Sequence, residues 1–275
     1  MRLPLFFSPC PNDTFMFDAM VHQKIDTEGL EFETHLADVE ALNHLAFDET
    51  AAITKLSFHA YAYVADKYKI LSSGSALGHG NGPLLVSKRK IYPDELAEAK
   101  IAIPGKYTTA ALLLKIAFPQ AINFFEYLFS DIEDAVLSNE MDAGALIHEG
   151  RFTYEKKGLK LIADLGKLWE ERTAQAIPLG CIAVSRKLDD ATQQKIARVL
   201  RRSIEFAFQN PQESADFVKQ HAQEMDAQVT AQHIQLYVTN YSIDLGNEGR
   251  KAVEIFFEEA LKTGAIKDSP KDIFV

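Results

Sequence analysis

Short apolar runs and amphipathic stretches alternate along the first two thirds of the chain. Apolar runs of three to six residues stand at 3–7, 30–35, 51–54, 68–72 and 84–86, and again at 100–103, 121–125, 143–147, 159–162 and 181–184. Runs this short, bounded by Gly, Pro, Asn and Asp, predict strands. Between them, residues 39–47, 57–66, 108–118 and 131–139 repeat apolar positions at helical spacing. Strand–helix alternation predicts an α/β protein with largely parallel sheets.

From Asp189 onward the pattern is helical only. Residues 190–209 carry Ile196, Val199, Leu200, Ile204, Ala207 and Phe208 on one stripe, and Asn210–Pro211 predicts its end. Helices are expected over 211–223, 229–243 and 248–263, the last stopping at Gly264.

Two stretches about a hundred residues apart resemble each other: GPLLVSKRK at 82–90 and PLGCIAVSRK at 178–187. Chance between two short strands is one reading. The other is a pair of adjacent crossover strands. Residues 1–81 with 188–275 would then form one lobe and 91–177 a second, hinged about a ligand cleft.

Composition narrows the function. The chain has 275 residues, 47% hydrophobic and 25% charged, with a net charge of −10. An acidic surface repels nucleic acid and anionic membranes, so neither is expected as a partner, whereas a local pocket can still take a small anion. The two cysteines, Cys10 and Cys181, match no disulfide framework or metal spacing and read as buried thiols. No signal peptide or membrane-length apolar run is read, so a cytoplasmic protein is expected. No metal or dinucleotide motif and no nucleophile elbow occurs, and no cofactor is expected.

Candidate chemistry collects where strands end and helices begin. In SPCPNDTF, Asn12 or Asp13 can cap a helix starting at Thr14, or contact a ligand, and the prolines stiffen the turn. In ITKLSFHAY, Lys55 and Ser57 lie at a strand–helix junction, where free amides and a positive charge suit an anion; an exposed Lys beside a capping Ser reads equally well. In IPGKYTTAA, Gly105 is followed by Thr108 and Thr109, which make either a carboxylate cradle or an ordinary capped helix start. His148 directly follows the run 143–147 in ALIHEGRFTY, with Glu149 and Arg151 beside it. It is either a structural histidine or a base whose pKa suits proton transfer near neutrality. His22, His44, His221 and His233 read as surface or boundary residues.

SPCPNDTFMFDA at 8–19, TKLS at 54–57, PGKYTTA at 104–110 and GALIHEGRFTY at 144–154 together resemble the 1,4-dihydroxy-6-naphthoate synthase family of the futalosine route to menaquinone. The resemblance spans nearly the whole chain. It implies a two-lobed α/β fold of the periplasmic-binding-protein type (type II) with a central cleft. It also implies a cofactor-free carbon–carbon lyase acting on cyclic dehypoxanthinyl futalosine. By the same resemblance His148 is the proton acceptor. Lys55, Leu56 and Ser57, and Thr109 with Ala110, are substrate-contacting segments, joined here by Thr108 and Asn12 as candidates. Rival readings are the sibling chorismate dehydratase, a small-carboxylate-binding protein, or a ligand-sensing regulatory domain. The last would want a DNA-binding segment, and none is read.

Overall fold

The computed structural model describes residues 1–222 and 226–275. The chain first lays down β1 (Arg2–Phe7), α1 (Pro11–Val21), β2 (Glu31–Leu36), α2 (Val39–Phe47), β3 (Ile53–Ser57), α3 (Phe58–Tyr61), β4 (Tyr68–Ile70) and β5 (Ala76–Gly78). It then builds β6 (Leu84–Ser87), β7 (Ile101–Ile103), α4 (Thr109–Ala117), β8 (Phe124–Glu126), α5 (Ile132–Leu137), β9 (Ala143–Leu146), α6 (Gly150–Thr153) and β10 (Lys160–Asp164). After α7 (Leu165–Thr173) and β11 (Ile177–Ser185) come α8 (Asp190–Gln209), α9 (Ala215–His221), α10 (Ala227–Tyr237), α11 (Asn240–Ile243) and α12 (Gly246–Lys262). The helix expected over 211–223 corresponds to α9, and Gln223 lies outside the described residues. Among those residues no helix is long and apolar enough to cross a membrane.

The strands form two sheets of the same design. One runs β2-β1-β3-β11-β4, with β5 also on β11; the other runs β8-β7-β9-β6-β10. In each, three strands joined by helical crossovers are parallel: β1 with β2 and β3, and β7 with β8 and β9. In each, a fourth strand then runs antiparallel, β11 against β3 and β6 against β9. The sheets are therefore mixed, and the expectation of largely parallel sheets is corrected.

The same topology corrects the expected hinge pair. Segments 82–90 and 178–187 do not pair with each other, because β6 lies in one sheet and β11 in the other. Their likeness has another cause. Each is the buried antiparallel strand of its own sheet, entered after the chain has left the other sheet. Each ends at a serine, Ser87 or Ser185, whose hydroxyl bonds the backbone two residues on.

The connections between sheets meet at Gly82 and Gly166. A Cβ on Gly82 would lie 2.3 Å from the Gly166 Cα, so both positions need a bare backbone. Beside them Leu165 N donates to Pro83 O at 3.0 Å.

α1 packs against α8, α9 and α10 as well as the first sheet. That explains why residues 11–20 are buried without an amphipathic stripe. α8 presents Ile196, Val199, Leu200, Ile204 and Ala207 to it, and Ser203 Oγ donates to Met16 O at 2.7 Å. α12 buries Val253, Phe256, Phe257 and Ala260 and ends before Gly264, whose φ of +70° closes the turn.

Candidate functional site

In both sheets the C-terminal ends of the parallel strands point at the same space. β1 and β3 deliver Asn12 and Ser57 from one side; β7 and β9 deliver Thr109 and His148 from the other. Between them lies a cavity of about 650 Å³, its mouth included, lined by residues of both sheets and of the connection 79–83. Ligands of open α/β sheets bind at such strand ends, where helix N-termini converge.

The SPCPND turn is built around a buried ion pair. Cys10 is the N-cap of α1 and Pro11 its first residue, so neither Asn12 nor Asp13 caps the helix as expected, and it starts at Pro11 rather than Thr14. Asp13 is fully buried and accepts from Ser8 N at 3.2 Å, Ser8 Oγ at 2.7 Å, Asn12 Nδ2 at 2.8 Å and Lys55 Nζ at 2.8 Å. Lys55 belongs to β3 and its side chain is 7% exposed. Its charge is thus matched by Asp13, which corrects the picture of an open lysine at a helix start. Leu56, the next residue of the strand, points the opposite way into the core and is not brought to the cavity.

Asp13 also fixes a proton further along. Because Asn12 Nδ2 donates to Asp13, Asn12 Oδ1 is left as an acceptor, and it lies 2.9 Å from His233 Nε2. His233 Nε2 therefore carries the hydrogen. His233 is fully buried, not a surface or boundary residue as expected from its helical surroundings. Its Nδ1 has no hydrogen-bond partner among the described residues and stands 3.7 Å from Glu149 Oε1. Burial, with His148 and Lys55 nearby, holds its pKa well below the usual histidine value.

His148 follows β9 with φ at +56°, a conformation that costs a residue with a Cβ and turns its ring into the cavity wall. The ring stacks on His233, meets Phe129 edge-on at 4.7 Å, and has Cys10 Sγ at 3.6 Å from Nδ1 and 3.8 Å from Nε2. Burial lowers its pKa, while the carboxylates of Glu149 and Asp13 oppose the shift. The ring is thus neutral at pH 7. Burial pushes the Cys10 thiol up, so the sulfur facing the ring keeps its hydrogen. Cys10 is a neighbour of the histidine, whereas Cys181, pushed up to about 12 by burial, is a core thiol as expected.

On the facing side, Thr108 caps α4: its hydroxyl accepts from Ala111 N and donates to Gly105 O. Thr109 Oγ1 donates to Leu179 O of β11 at 2.7 Å, across the cleft. Both hydroxyls are engaged. The amides of Thr109 and Ala110 have no acceptor among the described residues and stand at the positive end of α4, bordering the cavity. Ser57 also lines it, with its N–H donated to Asn43 Oδ1 and its Oγ accepting from Asn43 Nδ2. Further bonds hold the lobes together: Tyr107 N donates to Glu40 at 2.9 Å, and His59 Nδ1 to Thr108 O at 3.1 Å.

The site therefore unites Asn12, Lys55, Ser57, Thr108, Thr109, Ala110 and His148, and adds Cys10, Asp13, Asn81, His233 and Tyr237. Of the added residues only Cys10 and Asp13 left a trace in sequence, within the rigid turn. His233 and Tyr237, one turn apart on α10, gave only a helical spacing.

The profile of a family described as "Menaquinone biosynthesis" matches residues 4–262. The chain belongs to this menaquinone-biosynthesis family. A relative of Thermus thermophilus, named 1,4-dihydroxy-6-naphthoate synthase, is 41% identical over 273 residues, 99% of each chain. A crystal structure of an Archaeoglobus fulgidus protein superposes with a TM-score of 0.91 at 39% identity, covering 96% of this chain and 98% of that one. A Candida albicans protein described as having the generic periplasmic-binding-protein fold matches at TM-score 0.70 and 13% identity, over 99% and 93% of the two chains. The family fold is thus the two-lobed periplasmic-binding-protein type, and the chain is an enzyme of menaquinone biosynthesis.

Proposed function

We propose that the protein cleaves cyclic dehypoxanthinyl futalosine to 1,4-dihydroxy-6-naphthoate and a sugar-derived fragment, as a cytoplasmic carbon–carbon lyase with His148 as base. The observation that carries the reading is a neutral, partly buried imidazole that lines one cavity together with the free amides of Thr109 and Ala110.

Each element has a role. The amides of Thr109 and Ala110, with the dipole of α4, receive the ring carboxylate. His148 accepts the proton whose loss starts cleavage of the bond to the sugar-derived part. Aromatisation of the remaining rings drives the step, so the chain need supply only a base, an orientation and a dry site. A positioned base contributes about 10²–10⁴-fold, and orientation contributes more. The buried Lys55–Asp13–Asn12–His233 series holds the wall behind His148 and places a fixed ring against it.

The test is mass spectrometry of purified protein with cyclic dehypoxanthinyl futalosine. Formation of the naphthoate by the wild-type protein, and a loss of about 10²-fold or more in kcat for His148→Asn with KM little changed, is the expected result. No product from the wild-type protein sinks the reading, and near-normal turnover by a folded His148→Asn variant removes His148 as the base.

A further inference from the structure

Asn81 is the most conspicuous polar side chain left over from that account. It lies on the connection 79–83 between the sheets, is 1% exposed, and lines the cavity. Neither Oδ1 nor Nδ2 has a hydrogen-bond partner among the described residues. Leaving both halves of a buried amide unpaired is costly, of the order of 1–3 kcal/mol for each group.

The surrounding backbone makes room for this amide. Its Nδ2 rests over Gly78, where a Cβ would come within 2.9 Å of it. Pro83, two residues on, also lines the cavity and limits the backbone after it. The side chain is thus held toward the cavity by a glycine below and a stiff connection beyond.

We infer that Asn81 is a specificity residue that reads a hydroxyl-bearing, sugar-like portion of the substrate. The chemistry of the amide selects this class. Nδ2 donates and Oδ1 accepts, so a carboxylate, which only accepts, would leave Oδ1 unpaired. A hydroxyl or a pair of neighbouring hydroxyls both accepts and donates and satisfies both atoms. The anion-receiving amides of α4 lie on the second lobe, so the two ends of one ligand would be held by separate parts of the wall. Because Asn81 stands on the connection itself, filling its bonds also ties the ligand to the closed arrangement.

This inference rests on the proposed reaction and deepens it. It is tested with Asn81→Leu, similar in shape and apolar, and with Asn81→Ala as a second variant. The readouts are KM for cyclic dehypoxanthinyl futalosine, the inhibition constant of 1,4-dihydroxy-6-naphthoate, which has lost the sugar-derived fragment and keeps only its two ring hydroxyls, and Tm without ligand. The expected result is a KM raised about tenfold or more, an unchanged naphthoate constant, and a Tm equal to or above wild type, since an unpaired buried amide is removed. An unchanged KM, an equal loss for substrate and naphthoate, or a lowered Tm without selective loss overturns the inference, the last by making Asn81 a structural group satisfied by water. If the wild-type protein makes no naphthoate, the functional reading itself fails and takes this inference with it.

Discussion

His148 and His233 stack with their ring centroids 5.9 Å apart and their planes 17° from parallel. His233 lies on α10 and His148 in the turn after β9, 85 residues apart in sequence. Two imidazoles in this contact cannot both carry a proton without mutual repulsion in a medium that solvates charge poorly. The pair is therefore stable in its neutral form, and that makes the protein's stability depend on pH.

His148 and His233 are both lowered in pKa by burial, and burial also lowers His59 from 6.5 to about 4. In this range the unfolded chain binds the protons that the folded chain refuses. Stability is then fully present above about pH 6.5 and falls as pH drops toward the folded values. His59 alone accounts for about 3 kcal/mol of this loss, at about 1.4 kcal/mol per pH unit. Tm should decline from pH 7 to pH 5, and His59→Asn should flatten part of the slope. A Tm constant over that range contradicts the account.

Lys55 and Asp13 should be strongly interdependent. Removing one partner of a buried ion pair leaves the other charge uncompensated, at a cost of about 3–5 kcal/mol. Lys55→Met should lower stability in urea denaturation by that order. Adding Asp13→Asn to it should recover part of the loss, because the stranded carboxylate is then gone. Additive losses in the double variant would mean that the two side chains act separately.

Thr109 Oγ1 bridges the lobes through Leu179 O. Thr109→Val keeps the shape and the α4 amide but removes the donor, at about 1–3 kcal/mol for the stranded carbonyl. The closed arrangement should weaken. Small-angle scattering should give a larger radius of gyration for the variant, and KM should rise while kcat holds. Unchanged scattering and KM would show that this bond does not help to close the cleft.

Gly82 and Gly166 touch backbone to backbone. In Gly82→Ala the new Cβ would press on the Gly166 backbone, which cannot swing aside as a side chain can, so overpacking should cost about 1–3 kcal/mol and displace the connection. Tm should fall by several degrees, and turnover should fall with it because Asn81 and Pro83 belong to the same connection. A Tm equal to wild type would show that the two connections are free to separate.

The local sequence by itself determined the strand-to-helix junctions and the residues they expose. Ser57, Thr109 and His148 were legible because a short apolar run followed by a cap or turn residue dictates where a strand stops, and strand ends in such folds face a cleft. Apolar spacing likewise determined α8 and α12. What the sequence could not decide is which distant surfaces meet. Segments 82–90 and 178–187 look alike because they do the same job in two sheets, and no local pattern distinguishes that from pairing. Lys55 is buried only because Asp13, 42 residues away, neutralises it. His233 is set behind His148 through a bond to Asn12 across 221 residues. Asn81 is an ordinary loop asparagine until two sheets close over it. Burial, pairing and protonation depend on long-range packing, so these features were decided by the tertiary structure.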